Sequence, residues 1–514
     1  MAINVARNSR LKITRYRPIG WAASVPIATV VGFFILLPTA KMLQRFLTID
    51  AFAEVFTDDR LRRVLWITLW QATASALTAI AVGLPLAVLL ARRDFRGRRL
   101  VNSLLTLPFV LPTVVVALAA VTISDGSHPL LTIILTHAYF NVAVVIRIVQ
   151  PHLKAIGATF DSSAAVLGAS PWRRLINVEI PMARRSIQQA GVLVFIFCFT
   201  SFGAVRIIGG LRNTTTEVEI FVRAIQMGDM PTAVALSVIQ AVVVALVLIA
   251  FRPATPPRRT IAMSTQQRLP LRAGARLLVY TGAAIFAAPL LLIAHHSVRI
   301  GNDWTISGWR GLDGSVIRNS LTFAVIAAVL CTLAASVMVV AVIHGGIVGR
   351  ILSTLGSAPI FISAVVLGVG IVATFNTGIF DIRGEAWLLP ALHVIVGLPI
   401  CYRIMRGPVE QLTSDYRDAA ATLGASALKT IATVDLAATR RVVSQCVAVG
   451  GCISLGEFGA TSVLTRGDTR TVPIEISRLL GRPGDINQLQ AYALATLLLL
   501  AVAVLFITLG ESDA

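Results

Sequence analysis

Apolar residues along this chain gather into about twelve blocks, separated by short polar and charged segments. The blocks run over 20–40, 64–90, 104–123, 130–149, 187–208, 232–251, 276–294, 319–343, 351–375, 387–405, 442–464 and 489–509. Most approach the ~20 residues that a helix needs to cross a ~30 Å hydrocarbon layer. Backbone in lipid must satisfy its own hydrogen bonds, so the blocks predict helices. No ten-residue alternation of the kind that builds a membrane barrel interrupts them. The expected fold is an all-α polytopic membrane protein with about twelve transmembrane helices. The first block follows Arg7, Arg10, Lys12, Arg15 and Arg17 but is too long for a signal h-region, and Pro38-Thr39-Ala40-Lys41 is a poor cleavage site, so it is read as a retained span.

A second regularity lies over the first. Residues 137–220 align without a gap on 393–476 at a constant offset of 256. His137 falls on His393, Arg184-Arg185 on Arg440-Arg441, and Phe202-Gly203-Ala204 on Phe458-Gly459-Ala460. Six spans per half is an even number, so both halves enter the membrane in the same sense. The expected architecture is two parallel six-helix repeats about a pseudo-twofold axis along the membrane normal. Residues 1–251 form the first repeat and 276–514 the second. Between them 252–275, with Pro253, Pro256, Pro257, Arg258, Arg259 and Arg268, reads as a solvated cytoplasmic linker.

Composition agrees with a membrane protein: 56% of residues are hydrophobic and only 14% charged, with a mean hydropathy of +0.80. The net charge of +20 suggests nucleic acid until it is laid on the topology. With the N-terminus in the cytoplasm and sides alternating, the inner face carries the whole basic excess, including Arg92, Arg93, Arg96, Arg98 and Arg99 in one short loop. The charge is then an orientation signal that faces anionic inner-leaflet lipid. No nucleic-acid partner is implied. The five cysteines all lie in apolar blocks without metal-ligand spacing and read as small buried hydrophobes, so no metal is expected. None of the four lysines follows a glycine, which excludes a Gly-x-x-x-x-Gly-Lys phosphate loop. The chain is expected to bind no cofactor and to catalyse no reaction of its own.

The longest gap-free stretch of the repeat includes two polar cytoplasmic loops, 150–186 and 406–441. A mere connector drifts faster than the helices that it joins. Here Ser163-Ala164-Ala165-Val166-Leu167-Gly168-Ala169-Ser170 and Ala419-Ala420-Ala421-Thr422-Leu423-Gly424-Ala425-Ser426 are nearly identical. Each predicts an Ala-rich helix that breaks at a glycine, then a second amphipathic stretch (Trp172 to Ile180, Leu428 to Leu436), closed at Pro181 in the first copy. Two such elements on one face suit a partner with twofold symmetry.

These loops resemble the EAA loops of binding-protein-dependent ABC importers: Glu-Ala-Ala, three residues, Gly, nine residues, then aliphatic, any, aliphatic, Pro. Asp418-Ala419-Ala420, Gly424, Val434 and Leu436 fit the second copy, with Ala437 at the Pro position. Ser162-Ser163-Ala164, Gly168, Val178, Ile180 and Pro181 fit the first, with Ser162 at the acidic position. The resemblance implies that both loops, through Leu167, Ala169, Ser170, Leu423, Ala425 and Ser426 as well, dock on a homodimeric ABC ATPase that uses ATP. It further implies an extracytoplasmic solute-binding protein at the outer loops and a bacterial inner-membrane location with both termini cytoplasmic. The fused arrangement, with His137-Ala138-Tyr139-Phe140-Asn141 and Phe197-Cys198-Phe199-Thr200-Ser201-Phe202, is similar to thiamine and ferric-iron permeases. A major-facilitator-like secondary carrier is the alternative, since Arg93-Asp94-Phe95-Arg96-Gly97-Arg98-Arg99 resembles a loop of that family. The upstream glycine and any counterpart in the second half are missing, however, and a secondary carrier has no use for two matched docking loops.

One acidic residue falls inside a predicted span. Glu457, between Gly456 and Gly459, has the neutral Ser201 as its repeat mate. A carboxylate at membrane depth faces a cavity or a partner. Two readings stay open: a pathway residue that attracts a cationic solute, or a structural carboxylate held by an arginine or backbone amides. Glu219 and Glu475 read as structural caps of outer helices.

Overall fold

The computed structural model describes residues 20–166, 170–210, 213–251, 269–270, 273–344, 346–356, 359, 362–375, 381–382 and 385–510. Almost all of this is helix. Among the described residues, eight helices are long and apolar enough to cross a membrane, and nine if the bent pair Leu100–Phe109 and Thr113–Ser124 is one span. The remaining expected spans differ from straight rods. Block 187–208 is Ile180–Phe199 followed by a separate short helix, Gly203–Ile208. Block 442–464 divides in the same way into Leu436–Gly456 and Gly459–Leu464. Block 351–375 is the pair Gly346–Gly356 and Ala364–Thr374. The 98° bend of the third span falls between Phe109 and Thr113, beside Pro112, which has no backbone N–H to donate and disfavours helical geometry in the residue before it.

Local sequence explains where the long helices begin. Asp58 accepts the backbone N–H groups of Arg60 at 2.7 Å and Leu61 at 3.1 Å, capping Asp59–Arg92. Asp229 accepts from Thr232 at 3.2 Å ahead of Met230–Ala250, with Pro231 in the first turn.

The 256-residue offset survives in the folded chain. Pro129–Val166 ends where Leu388–Thr422 ends once shifted by 256, and Gly203–Ile208 maps onto Gly459–Leu464 residue for residue. In each half one long helix packs along another, Asp59–Arg92 on Pro129–Val166 and Gly314–His344 on Leu388–Thr422. Ile180–Phe199 and Leu436–Gly456 complete these two three-helix cores.

The halves are not separate bodies. Ile27, Val31 and Ile35 of the first helix bury themselves among Ala327, Met338 and Cys401 of the second half. Reciprocally, Val279, Ala283 and Phe286 of Ala273–His296 enter the core of the first. There Tyr139 donates to the Phe286 carbonyl at 2.7 Å and stacks on its ring at 5.0 Å. Each half therefore wraps its opening helix around the other, a crossing that the linear division into 1–251 and 276–514 does not convey. All five cysteines are free and buried. Of the linker, 269–270 is described, where it pairs in parallel with Arg93-Asp94; the rest of 252–272 lies outside the described residues.

Candidate functional site

The two halves meet through equivalent residues. Phe202 and Phe458, repeat mates, stack with ring centroids 5.4 Å apart. Contact between equivalent residues is what a twofold axis produces, so the pseudo-axis runs through this pair. Small residues allow the approach: a Cβ on Gly203 would lie 2.4 Å from Thr113 Oγ1 and 3.2 Å from the Phe458 ring, and one on Gly456 3.2 Å from Pro112 Cα.

Beside the stack lies a cavity of about 300 Å³ lined from both halves, by Phe197, Ser201 and Glu217 on one side and Ser363, Val396 and Glu457 on the other. Ser201 and Glu457 stand at matching breaks between two helices. Ser201 Oγ lies 2.9 Å from His137 Nε2, whose Nδ1 is 2.9 Å from Gln71 Oε1. At the equivalent place His393 Nε2 is 2.9 Å from Thr461 Oγ1 and 3.6 Å from Glu457 Oε2, and Nδ1 is 2.7 Å from Ser454 Oγ. A histidine thus props each break, a role the sequence alignment of His137 with His393 left unassigned.

The structure places Glu457 at the seam and shows what holds it. Its carboxylate accepts the backbone N–H groups of Ala460 and Thr461, both at 2.9 Å, and the Thr461 hydroxyl. No arginine takes part among the described residues. The carboxylate satisfies the amides freed where Gly459–Leu464 begins, which is the work of an N-terminal cap. Glu219 and Glu475 act differently from the caps expected of them. Glu219 pairs with Arg60 at 2.9 Å and Arg223 at 3.1 Å; Glu475 pairs with Arg470 at 2.8 Å and with Arg478. Burial works to raise the pKa of Glu475, but Arg478 and Arg470 outweigh it and hold the carboxyl below its ordinary value.

In the second of the duplicated loops Leu388–Thr422 carries Asp418, Ala419 and Ala420, and ends at Gly424 in the left-handed region, φ +77°. The Ala425 N–H reaches back to the Ala420 carbonyl at 3.0 Å, and the Leu423 N–H to that of Ala419 at 3.2 Å. That is the helix stop that glycine permits. Ser426 then caps the next turn, its Oγ accepting from the Lys429 N–H at 3.3 Å. Leu423 is 87% exposed, an apolar side chain presented with nothing covering it.

In the first loop Ser162, Ser163 and Ala164 lie on the helix Pro129–Val166, while Leu167, Gly168 and Ala169 lie outside the described residues. Ser170 repeats the cap of Ser426, accepting from the Arg173 N–H at 3.3 Å. Pro181 does not close the second stretch. A wide π-helical turn, Leu175–Glu179, runs straight into Ile180–Phe199, and Pro181 sits in the first turn, where its missing N–H costs little. Glu179, which sequence reasoning passed over, is buried here and pairs with Arg92 and, at 3.1 Å, with Arg174. This ties the loop to the end of Asp59–Arg92. Only the density of basic residues nearby hinted at it.

Membrane-length helices, a twofold seam with a cavity and a duplicated loop are what a multi-pass permease of two fused domains presents, and the chain is similar to the permease subunits of ABC importers. Residues 83–255 match the family described as binding-protein-dependent transport system inner membrane component. The thiamine transport system permease protein ThiP of Escherichia coli (strain K12) is 25% identical over 533 residues, covering 97% of this chain and 98% of its own. Its counterpart from Salmonella typhimurium (strain LT2) is 24% identical over 532 residues with the same coverage. The sulfate transport system permease protein CysT of Escherichia coli (strain K12) is 28% identical over 227 residues, 40% of this chain and 82% of its own. These likenesses support the importer reading and not the secondary carrier. Such permeases work with an ATPase and a solute-binding protein.

Because both Glu457 oxygens accept hydrogen bonds, Glu457→Gln turns an NH₂ donor toward backbone donors. We expect a loss of about 1–3 kcal/mol, read as a lower melting temperature in detergent. An unchanged melting temperature would show that the cap is dispensable.

Proposed function

We propose that this chain carries thiamine inward across a bacterial inner membrane, using ATP hydrolysed by a separate homodimeric ABC ATPase. The observation that carries the reading is the likeness, over 97% of the chain, to proteins named as thiamine permeases. Ferric iron, the other solute of fused permeases, has no comparable support. The duplicated cytoplasmic loop supports the energetic half of the reading: equivalent elements at a constant offset suit an ATPase dimer.

In this reading the ATPase meets Ser162, Ser163, Ala164, Leu167, Gly168, Ala169, Ser170 and Pro181 in the first loop. In the second it meets Asp418, Ala419, Ala420, Leu423, Gly424, Ala425 and Ser426. The chain itself binds no cofactor and performs no catalysis. Residues 1–251 and 276–514 supply the two domains, 252–275 links them in the cytoplasm, and both termini are cytoplasmic. A solute-binding protein delivers thiamine to the outer loops. Ser201 and Glu457 flank the route at the seam, where Glu457 also holds the break in shape.

Proteoliposomes that contain this chain, its ATPase and its binding protein should accumulate labelled thiamine on addition of ATP, and no ferric iron. Iron uptake without thiamine uptake would replace the substrate.

Gly424→Val forces a β-branched residue into left-handed backbone at a cost of ~1 kcal/mol or more. Uptake should fall severalfold while membrane protein level persists and ATP hydrolysis loses its dependence on solute. Full uptake in this variant would remove the loop from the transmission. A cysteine placed at 424 should react with a membrane-impermeant maleimide in inverted vesicles only; reaction in intact cells would reverse the topology.

A further inference from the structure

Glu217 lies on Thr216–Phe221, is completely buried and lines the seam cavity. Two neutral groups hold its oxygens: Gln240 Nε2 donates at 2.6 Å, and the Ser363 hydroxyl donates from the other half. Among the described residues no basic side chain pairs with it. The other fully buried carboxylates are answered. Glu179 has Arg92 and Arg174, Glu219 has Arg60 and Arg223, and Glu475 has Arg470 and Arg478. Glu457 has two backbone amides. A buried carboxylate with only neutral donors is costly, by several kcal/mol when ionised, and that cost is relieved by a proton or by a cation.

The structure leaves space for the cation. The adjoining cavity, about 300 Å³, reaches the lower end of small-molecule sites, and three of its lining residues are aromatic: Phe197, Phe202 and Phe458. Aromatic rings attract cations, most of all where water is excluded. The geometry points to the seam cavity as a binding station for a compact, ring-bearing organic cation in passage, with Glu217 as its counter-charge and these phenylalanines as its walls. The inference rests on the importer reading and deepens the thiamine reading, since thiamine carries one fixed positive charge on an aromatic ring.

The station is single. The repeat mate of Glu217 is Pro473, so the second half has no equivalent of it, and that half's own cavity carboxylate, Glu457, is already held by the amides of Ala460 and Thr461. It is also coupled to the fold. Ser363 Oγ accepts the N–H groups of Val365 at 3.0 Å and Val366 at 3.3 Å while donating to Glu217. A cation that takes hold of Glu217 therefore competes with the hydroxyl that caps Ala364–Thr374 and joins the two halves.

The test uses the full chain in lipid nanodiscs without ATPase or binding protein, titrated calorimetrically with thiamine, with benzyltrimethylammonium, and with thiochrome, a neutral relative of thiamine. Wild type should bind both cations saturably and thiochrome far more weakly. Glu217→Gln keeps the shape and the Ser363 and Gln240 neighbours and should weaken both cations roughly tenfold or more. Equal binding of thiamine by wild type and Glu217→Gln overturns the station. So does thiochrome binding as tight as thiamine, which needs no variant to fold. Cation binding that depends on Glu217, in an importer that takes up no thiamine, keeps the station and removes the thiamine reading. Thiamine uptake by an importer whose permease binds neither cation does the reverse.

Discussion

Backbone amides freed at a helix break inside a membrane protein have no water to turn to, and the seam of this permease is built around answering them. Glu457 answers two of them for Gly459–Leu464, and Ser363 answers two more for Ala364–Thr374. With those ends satisfied the chain can interrupt its spans beside the pseudo-axis without paying the several kcal/mol that each orphaned group costs in hydrocarbon. The breaks, in turn, create the cavity. Straight helices packed through Gly203 and Gly456 would close on one another; offset short helices leave a space lined from both sides.

Duplication supplied two equivalent frameworks, and the differences between them are where chemistry enters. Both halves keep a histidine that props the break, and both keep the phenylalanine on the axis. One half has Ser201 where the other has Glu457, and one has Glu217 where the other has Pro473. The site is therefore asymmetric within a symmetric scaffold. Each half contributes one carboxylate to the cavity, Glu217 from the first and Glu457 from the second, at positions that are not repeat mates, which suits a solute with no twofold symmetry of its own. The exchange of opening helices makes the two frameworks one body, so that a displacement in either half is felt in the packing of the other.

Between the duplicated loops and the seam runs continuous helix. Leu388–Thr422 carries the second loop's Asp418-Ala419-Ala420 at one end and His393, which props the Glu457 break, near the other. In the first half Pro129–Val166 joins Ser162-Ser163-Ala164 to His137 in the same way. Glu179, held by Arg92 and Arg174, adds a side brace to the first loop. Each duplicated loop is thus joined to the cavity's surroundings by a single helix.

Sequence alone determined what depends on local composition and on comparison of the chain with itself. Apolar block length set the helices, the 256-residue offset set the parallel repeat, and Gly424 between an Ala-rich run and Ser426 announced the helix stop later found at φ +77°. The two open readings of Glu457 also came from its neighbours. The tertiary structure decided what depends on residues far apart in the chain. Blocks 187–208 and 442–464 look like single spans because hydropathy averages over a break of two or three residues. Glu217 drew no attention, sitting outside every predicted span, because only folding brings it against Ser363, 146 residues away. The crossing of the first helices has no local signal at all, since an apolar face reads the same whichever half it covers.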